Sequence, residues 1–226
     1  MIKNLDGFKF LCDDFKIYFD KILNQSKKNP VAIITPNPEI YLESLFNVKF
    51  KKLLPIFDYA LMDGFGLALM YRFFGSKIPR QTGVDFTDFV LKSDLNVFVV
   101  GSDESSLNKI KIKNYYTGII SSNVYVEILK KIKICKPDII LVALGNPKQD
   151  FLIDYLKKKL NQGVLIGVGG SIDYLSGSFK RPPRYVRSFG FEWLYRLIKQ
   201  PQRFVRIFKA VVVFPIVFLI RKLFLF

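Results

Sequence analysis

The stretch DIILVALGNPKQDFLIDYLKKKLNQGVLIGVGG, residues 138–170, decides the fold class. Its two ends, DIILVALG and GVLIGVGG, are continuous apolar runs, which are typical of strands buried on both faces of a parallel sheet. The segment between them, PKQDFLIDYLKKKL, has its apolar residues on one side of a helix. Parallel strands need a crossover connection, usually a helix, so this stretch predicts an α/β domain.

The same alternation of strand and helix patterns extends over most of the chain. Strands are predicted at VAIIT (31–35), at YALMDG (59–64), ending at Asp63, and at NVFVVGS (96–102). Helices are predicted at PEIYLESLFN (38–47), 66–73, TGVDFTDFVLKS (82–93) and SSNVYVEILKKIKIC (121–135). We therefore expect a Rossmann-like domain with a largely parallel sheet flanked by helices. Glycine, serine and two prolines interrupt the pattern at GSFKRPPRY (177–185), which predicts a core over 1–177 and a C-terminal helical appendage over 178–226.

The composition of the 226 residues, with a net charge of +16 and no histidine, excludes several kinds of site. Without histidine there is no Ser–His or Cys–His nucleophile and no histidine-bearing metal site. Cys12 and Cys135 lie far apart, so neither a disulfide framework nor a zinc site is indicated, and we expect a reducing cytosol. The first residues carry acids within an apolar stretch, which is not typical of a signal peptide.

Several familiar nucleotide and metal motifs are also missing. GFGLAL (64–69) and GVGGSI (167–172) both lack the last glycine of a dinucleotide fingerprint, and no P-loop occurs. No Asp-x-Asp pair is present, so the usual metal–diphosphate clamp of many sugar transferases is absent. A diphosphate would therefore be held by helix N-termini and arginines, without metal or cofactor.

The C-terminal part concentrates the positive charge. From Ser178 onward, eleven lysines and arginines stand against one acid, Glu192. If FGFEWLYRLIKQPQRFVRIFK (189–209) forms a single helix, its cations recur every three or four residues on one side. Another side of the same helix carries Trp193, Leu194, Leu197, Pro201, Phe204, Val205 and Phe208. One interpretation is a terminal helix docked on the core with a solvated basic face. The other is a basic amphipathic helix that meets a membrane surface or a lipid phosphate.

The run AVVVFPIVFLI (210–220) is the longest uninterrupted apolar segment. As a helix it reaches roughly 17 Å, against about 30 Å of hydrocarbon in a bilayer. Basic residues flank it on both sides, and Pro215 interrupts it. These features favour insertion into one leaflet over either a membrane span or a buried core helix.

Polar residues and glycines follow the predicted strands. In open α/β sheets, ligands bind at the carboxyl ends of the strands, so these residues predict one shared site. They are Thr35, Asn37, Asp63, Gly64, Gly101, Ser102, Gly145, Asn146, Gln149, Gly169, Gly170 and Asp173.

Each candidate has a structural alternative. Asp63 is the candidate general base, or else it caps the next helix. Arg80 is a phosphate ligand or a surface cation. The amide of Gln149 hydrogen-bonds with the edge of a ring or with a sugar hydroxyl, or else the residue simply occupies a first helical turn. Asp173 orients the donor or caps a helix.

Six motifs together are specific: TPNPEIY, DGFGLAL, PRQTGVDF, LGNPKQD, GVGGSIDYLSG and RPPRYVRSFGFEWLYRLIKQPQRFVR. Their order and spacing resemble the WecG/TagA/CpsF glycosyltransferases, glycosyltransferase family 26, as far as about Arg206. The resemblance implies inverting transfer of N-acetylmannosamine or its uronic acid from a UDP donor. The implied acceptor is a polyprenyl-diphosphate-linked GlcNAc, in teichoic acid, enterobacterial common antigen or capsule assembly.

The resemblance also implies roles for individual residues. Asp63 matches the family's proposed base. Substrate binding is implied for Thr35, Asn37, Arg80, Gln149 and Asp173, and strand-end position adds Gly101 and Gly145. The appendage arginines that grip a diphosphate would be among Arg196, Arg203 and Arg206. Asp150 departs from the family's usual glutamate, and Pro182 departs from its alanine.

A different class of function is a non-catalytic protein that binds membranes or nucleic acid through its basic tail. The DGFG, PKQ and GVGG turns argue against it, because electrostatic binding alone does not require them. We therefore expect an enzyme peripheral to the cytoplasmic face of the membrane, in contact with anionic lipids and not with nucleic acid. The sequence is also compatible with a homo-oligomer.

Overall fold

The computed structural model describes residues 1–180, 182–183, 186 and 190–224. Its eight described strands form one sheet in the order β1-β2-β4-β3-β8-β7-β5-β6. All neighbouring strands are parallel except β1 and β2. The predicted fold class, α/β with a largely parallel sheet, is confirmed. The strands are β1 Ile2–Leu5, β2 Phe8–Leu11, β3 Val31–Ile34, β4 Tyr59–Ala60, β5 Val97–Gly101, β6 Asn114–Tyr116, β7 Ile139–Ala143 and β8 Val164–Gly167.

Helices flank the sheet on both faces. They are α1 Phe15–Ser26, α2 Pro38–Phe46, α3 Val48–Lys51, α4 Phe65–Phe73, α5 Gly83–Leu91, α6 Glu104–Lys109, α7 Tyr125–Cys135, α8 Lys148–Lys157, α9 Ser171–Leu175, α10 Glu192–Lys199, α11 Phe204–Phe208 and α12 Phe214–Phe224. A π-helical turn, Lys209–Val213, joins α11 to α12. Short 3₁₀ turns lie at Leu54–Ile56, Ser122–Val124 and Pro201–Arg203.

The central strands are apolar throughout because both of their faces are covered. In β7, Ile140 and Val142 belong to one hydrophobic core, and Ile139 and Leu141 belong to the other. Alternate residues of a strand point to opposite faces, so each face needs its own apolar set. This is why DIILVALG is a continuous apolar run without hydrophobic and polar alternation.

The strand predicted to end at Asp63 is shorter than expected. The ladder of β4 ends at Ala60, and beyond it Met62 forms an isolated bridge with Arg80. The backbone N–H of Asp63 donates to the carbonyl of Pro36 at 3.1 Å, so the chain still follows the segment after β3. Asp63 therefore lies just past the sheet, at its carboxyl edge.

The continuous helix predicted over 189–209 is wrong in its described part. Helix α10 ends at Lys199, and Gln200 has φ −140° and ψ 70°. Pro201 disfavours the helical conformation in the residue before it, which explains the break. The apolar side predicted to include Pro201 is therefore divided between α10 and α11. Phe189, the first residue of the predicted helix, lies outside the described residues.

The tail predicted to enter a leaflet packs one of its faces into the core. Phe214 and Phe218 of α12 are fully buried. Their rings lie 5.4 and 5.2 Å from that of Tyr41, and the ring of Phe218 lies 5.2 Å from that of Tyr71. The opposite face, with Ile216 and Ile220, is exposed. The buried-helix alternative is thus correct for one face of the tail.

The two basic residues that follow the apolar run are paired with an acid of the same chain. Arg221 and Lys222 lie 3.5 and 3.2 Å from the carboxylate of Asp6, which is 5% exposed. Tyr71 donates its hydroxyl to the same carboxylate at 2.7 Å. Asp6 occupies the turn between β1 and β2, so the end of the chain is joined to its beginning. The division into a core over 1–177 and an appendage over 178–226 stays a prediction.

Within the described residues, no helix is both long and apolar enough to cross a membrane.

We expect Phe218→Ala to lower the free energy of unfolding by about 3–5 kcal/mol, the usual cost of truncating a buried phenylalanine. The matched control is Ile216→Ala, on the same helix but 53% exposed, which should change stability by less than about 0.5 kcal/mol. Urea denaturation of both variants measures the difference. Equal losses would contradict the docked orientation of α12.

Candidate functional site

A polar cavity of about 320 Å³ lies at the carboxyl edge of the sheet. It collects most of the residues predicted from the sequence, although they come from separate parts of the chain. Those that line it are Thr35, Asn37, Asp63, Arg80, Gly145, Gln149, Asp173, Arg203 and Arg206.

Two of the predicted site residues, Gly101 and Arg196, are not among the described residues that line the cavity. Gly101 does not line the cavity within the described structure; its neighbour Ser102 does. Gly101 has φ +95°, and a Cβ there would lie 2.7 Å from the carbonyl oxygen of Ala143, so it allows close approach to the end of β7. For Arg196, the structure describes its place in α10 but not its side chain.

The cavity is centred where β3 and β8 lie side by side. From β3 the chain proceeds to β4 on one side, whereas β8 is reached from β7 on the other side. Such a switch point opens a crevice between the loops of an α/β sheet. Thr35, which is 4% exposed, donates its hydroxyl to the carbonyl of Gly167 at 2.9 Å and joins the two strand ends.

Helices α2, α5, α8 and α9 are among those that begin at this cavity. Their first-turn N–H groups and the positive ends of their dipoles favour an anion. Asn37 accepts from the N–H of Ile40 at 3.0 Å and so caps α2, while Thr82 caps α5. Asn37 thus has a structural role at the predicted site.

Contacts of the main chain hold the Asp63 segment in place. Its carbonyl accepts from Nε of Arg80 at 2.8 Å. A Cβ on Gly64 would lie 2.5 Å from Cδ of Pro38, so this glycine lets the Asp63 segment approach the start of α2. Helix α4 has Gly64 at its N-cap and no side-chain cap bond. Asp63 therefore stands one residue before the N-cap of α4.

Two arginines at the cavity contact glutamates that the sequence analysis did not select. Nη2 of Arg80 lies 3.3 Å from Glu192, and Nε of Arg206 donates to Glu39 at 2.9 Å. The signals were available in part. Glu192 is the single acid of the basic segment, and Glu39 lies in the first turn of α2.

Gln149 is 3% exposed and joins the loops after β7 and β8. Its Oε1 accepts from the N–H of Gly169 at 3.1 Å. A Cβ on Gly167 would lie 2.5 Å from its Nε2, so only glycine leaves room for this side chain. Gln149 lines the cavity and also fixes the glycine loop in place.

Asp173 is partly buried next to Ser102, which donates its hydroxyl to the carboxylate at 3.2 Å. Burial raises the pKa of Asp173, and Asp103 raises it further. The bond from Ser102 and the charge of Arg203 act in the opposite direction. The carboxylate of Asp173 adds negative charge to a cavity that Glu39, Asp63 and Glu192 also line.

Asp150 is a buried carboxyl group behind the cavity. Asn146 donates its side-chain amide to Oδ2 at 2.8 Å, while Oδ1 has no hydrogen-bond partner among the described residues. Burial raises the pKa of Asp150 to about 7, and Glu43 adds to the effect, whereas the bond from Asn146 opposes it. Asp150 was noted in the sequence only as a departure from a family pattern. Its contact with Asn146 places it behind the cavity wall.

A second, more apolar groove of about 360 Å³ adjoins the cavity. Asp63 and Arg80 line both spaces. The apolar walls come from α4 and the C-terminal segment, with Phe65, Phe191, Trp193, Ile207 and Pro215. Asp63 thus lies where a polar space meets an apolar one.

No cluster of three or more cysteine, aspartate or glutamate side chains suited to a metal ion occurs in the described part of the chain, which has no histidine.

Comparison with known proteins identifies the family. The family model described as "Glycosyl transferase WecG/TagA/CpsF family" matches residues 4–225. An N-acetylglucosaminyldiphosphoundecaprenol N-acetyl-beta-D-mannosaminyltransferase from Bacillus spizizenii is 35% identical over 77% of this chain and 73% of its own length. Proteins of the same name from Bacillus subtilis and Staphylococcus aureus are 31% and 28% identical, over 80% and 90% of this chain and 76% and 84% of their own lengths. The resemblance found in the sequence is confirmed: this chain belongs to the WecG/TagA/CpsF family of glycosyltransferases.

Proposed function

We propose that this glycosyltransferase moves an N-acetylmannosamine-type sugar from a UDP donor to GlcNAc on a polyprenyl diphosphate, with inversion. The reaction would serve the assembly of teichoic acid or another cell-surface polysaccharide. The observation that carries the proposal is the position of Asp63 at the junction of the polar cavity and the apolar groove. The names of the relatives support the sugar and the lipid-linked acceptor.

The donor would occupy the polar cavity. Its diphosphate would meet the beginnings of α2, α5, α8 and α9, with Arg203 and Arg206 nearby. Backbone N–H groups and guanidinium groups are suitable ligands for phosphate oxygens. Thr35, Asn37, Gln149 and Asp173, on the walls of the same cavity, would bind or orient the nucleotide sugar.

The acceptor would lie in the apolar groove with its sugar towards Asp63. The carboxylate of Asp63 would take the proton of the acceptor hydroxyl as that oxygen bonds to the anomeric carbon. The bond from this carbon to the UDP oxygen breaks, and UDP leaves with the electron pair. The preorganised positive charge of helix N-termini and arginines would stabilise the diphosphate as it leaves.

The C-terminal segment would bring the enzyme to the membrane that carries its acceptor. Its outward side has exposed apolar residues, among them Phe204, Phe208, Ile216 and Ile220. Basic residues occur along the same segment, and cations close to an anionic lipid surface contribute about 1 kcal/mol each. We propose a peripheral attachment in which the outward face of α12 enters the interface while Phe214 and Phe218 stay in the core.

The decisive experiment on substrates offers the purified protein a panel of UDP-sugars with a short-chain prenyl-diphosphate-GlcNAc. Transfer from UDP-ManNAc or its uronic acid alone would support the proposal. Transfer of another sugar, or no UDP-dependent transfer at all, would overturn it.

For the base, we expect Asp63→Asn to reduce kcat by roughly 10²-fold or more, as the loss of a general base does. UDP binding, measured by calorimetry, should stay close to the wild-type value. The control is Asp88→Asn, which removes an exposed carboxylate paired with Lys92 on α5 and should leave kcat unchanged. Near-normal turnover of Asp63→Asn would remove Asp63 from the mechanism.

For metal, we expect transfer to survive EDTA with little change, because arginines and helix N-termini would hold the diphosphate. The measurement is the initial rate with EDTA and after addition of excess Mg²⁺ or Mn²⁺. A rate that collapses with the chelator and returns with the ion would show that the diphosphate is held differently.

For the membrane, Ile216→Ser with Ile220→Ser should weaken binding to anionic vesicles roughly tenfold or more, since each buried side chain contributes about 1.5–3 kcal/mol. Transfer to a short-chain soluble acceptor should be unaffected. The matched control is Val126→Ser with Ile134→Ser, which removes two exposed apolar residues from α7. Equal vesicle binding by both double variants would refute attachment through α12.

A further inference from the structure

Arg80 connects the segment that carries Asp63 to the C-terminal segment. Its Nε donates to the main-chain carbonyl of Asp63 at 2.8 Å, and its Nη2 lies 3.3 Å from Oε2 of Glu192. One planar guanidinium group thus contacts two segments that lie more than a hundred residues apart in the sequence. The two contacts require an arginine, because its planar guanidinium group has separate nitrogens that can each donate, whereas a lysine has a single ammonium group.

The backbone of Arg80 is itself fixed beside the strand that leads to Asp63. Arg80 forms a bridge with Met62, and the N–H of Gln81 donates to the carbonyl of Met62 at 2.7 Å. The orientation of the guanidinium group therefore depends mainly on what its outer nitrogens contact. In the structure, that contact is Glu192.

Glu192 is the first residue of α10. Besides Arg80, its carboxylate lies 3.5 Å from the hydroxyl of Tyr174, which follows the glycine loop of the cavity. The side chains of Arg80 and Glu192 are 27% and 22% exposed, so the pair is partly shielded from solvent. Both residues line the polar cavity. A guanidinium group in this place, without its carboxylate partner, would be drawn to a bound diphosphate instead.

We propose that Glu192 and Arg80 are positioning residues, which make the placement of Asp63 depend on the docking of the C-terminal segment. Glu192 holds the guanidinium group of Arg80 against the carbonyl of Asp63 and keeps it away from the donor's phosphates. The base is thereby set in place only when α10 is seated. The proposal rests on the proposed role of Asp63, and it replaces the expectation that Arg80 is a phosphate ligand.

The test separates turnover from donor binding. Glu192→Gln keeps the shape of the side chain but removes its charge. It should lower kcat by roughly 10- to 100-fold, the scale expected when a catalytic group is displaced slightly. The donor KM should stay unchanged or fall, because Arg80 becomes free to reach the diphosphate. Glu127→Gln, which removes an exposed acid paired with Lys131 on α7, is the matched control and should change neither constant.

Arg80→Lys provides a second, independent variant. If Arg80 positions Asp63, the substitution lowers kcat with little change in donor KM. A raised donor KM with normal kcat, in Arg80→Lys or in Glu192→Gln, would overturn the proposal and make Arg80 a phosphate ligand. Thermal unfolding of both variants shows whether a lower kcat reflects loss of the fold, and a large fall in both midpoints would refute a positioning role.

A double-mutant cycle distinguishes failure of this inference from failure of the proposed function. In an Asp63→Asn background, Glu192→Gln should have almost no further effect on the residual kcat, because the base that it positions is gone. If the two effects multiply, Glu192 acts independently of Asp63 and the inference fails while Asp63 remains the base. If Asp63→Asn alone is fully active, the proposed function of Asp63 fails first.

Discussion

The adjacency of β3 and β8 is the constraint on which the rest of the structure depends. These two strands are separated by most of the chain, yet their ends are joined by the hydrogen bond from Thr35 to Gly167. Because the strands are parallel, every loop that follows one of them reaches the same edge. The start of α2, the glycine loop before α9 and Gln149 therefore meet around one cavity. Loss of the pairing between β3 and β8 would separate the two halves of the sheet and the cavity residues that each half carries.

The positive charge of the C-terminal segment is only partly available to external anions. Arg206 pairs with Glu39 at the cavity, and Arg221 and Lys222 pair with Asp6 beneath α12. Charges that are paired within the protein attract a lipid surface less than their number suggests. The eleven cations of this segment consequently overstate its electrostatic contribution to any membrane binding, and exposed apolar side chains must supply more of it.

Local patterns were sufficient for most of the fold. The runs at β7 and β8, with the one-sided helix between them, predicted the α/β class because burial on both faces leaves a direct mark on composition. The break before Pro201 was readable from the same local rule that places prolines after helix ends, but the regular spacing of arginines obscured it. In the tail, an apolar run suits a bilayer and a core equally well. Only the partners Tyr41 and Tyr71, distant in sequence, decide which side is buried.

The site was predicted as a set of positions but not as a set of contacts. Strand ends indicated Thr35, Asp63 and Gln149, because topology brings such ends together whatever their partners are. Sequence spacing could not predict that Arg80 and Arg206 each contact a glutamate from another part of the chain.

These contacts have a physical logic. In a cavity such as the one proposed to bind a diphosphate, arginines and helix N-termini lie close together, and their charges repel one another in the absence of a ligand. Carboxylates placed beside the arginines reduce this repulsion and hold the guanidinium groups in defined orientations. For a base such as the one proposed at Asp63, defined orientation matters more than charge alone, because small displacements of a reacting group cost large factors in rate.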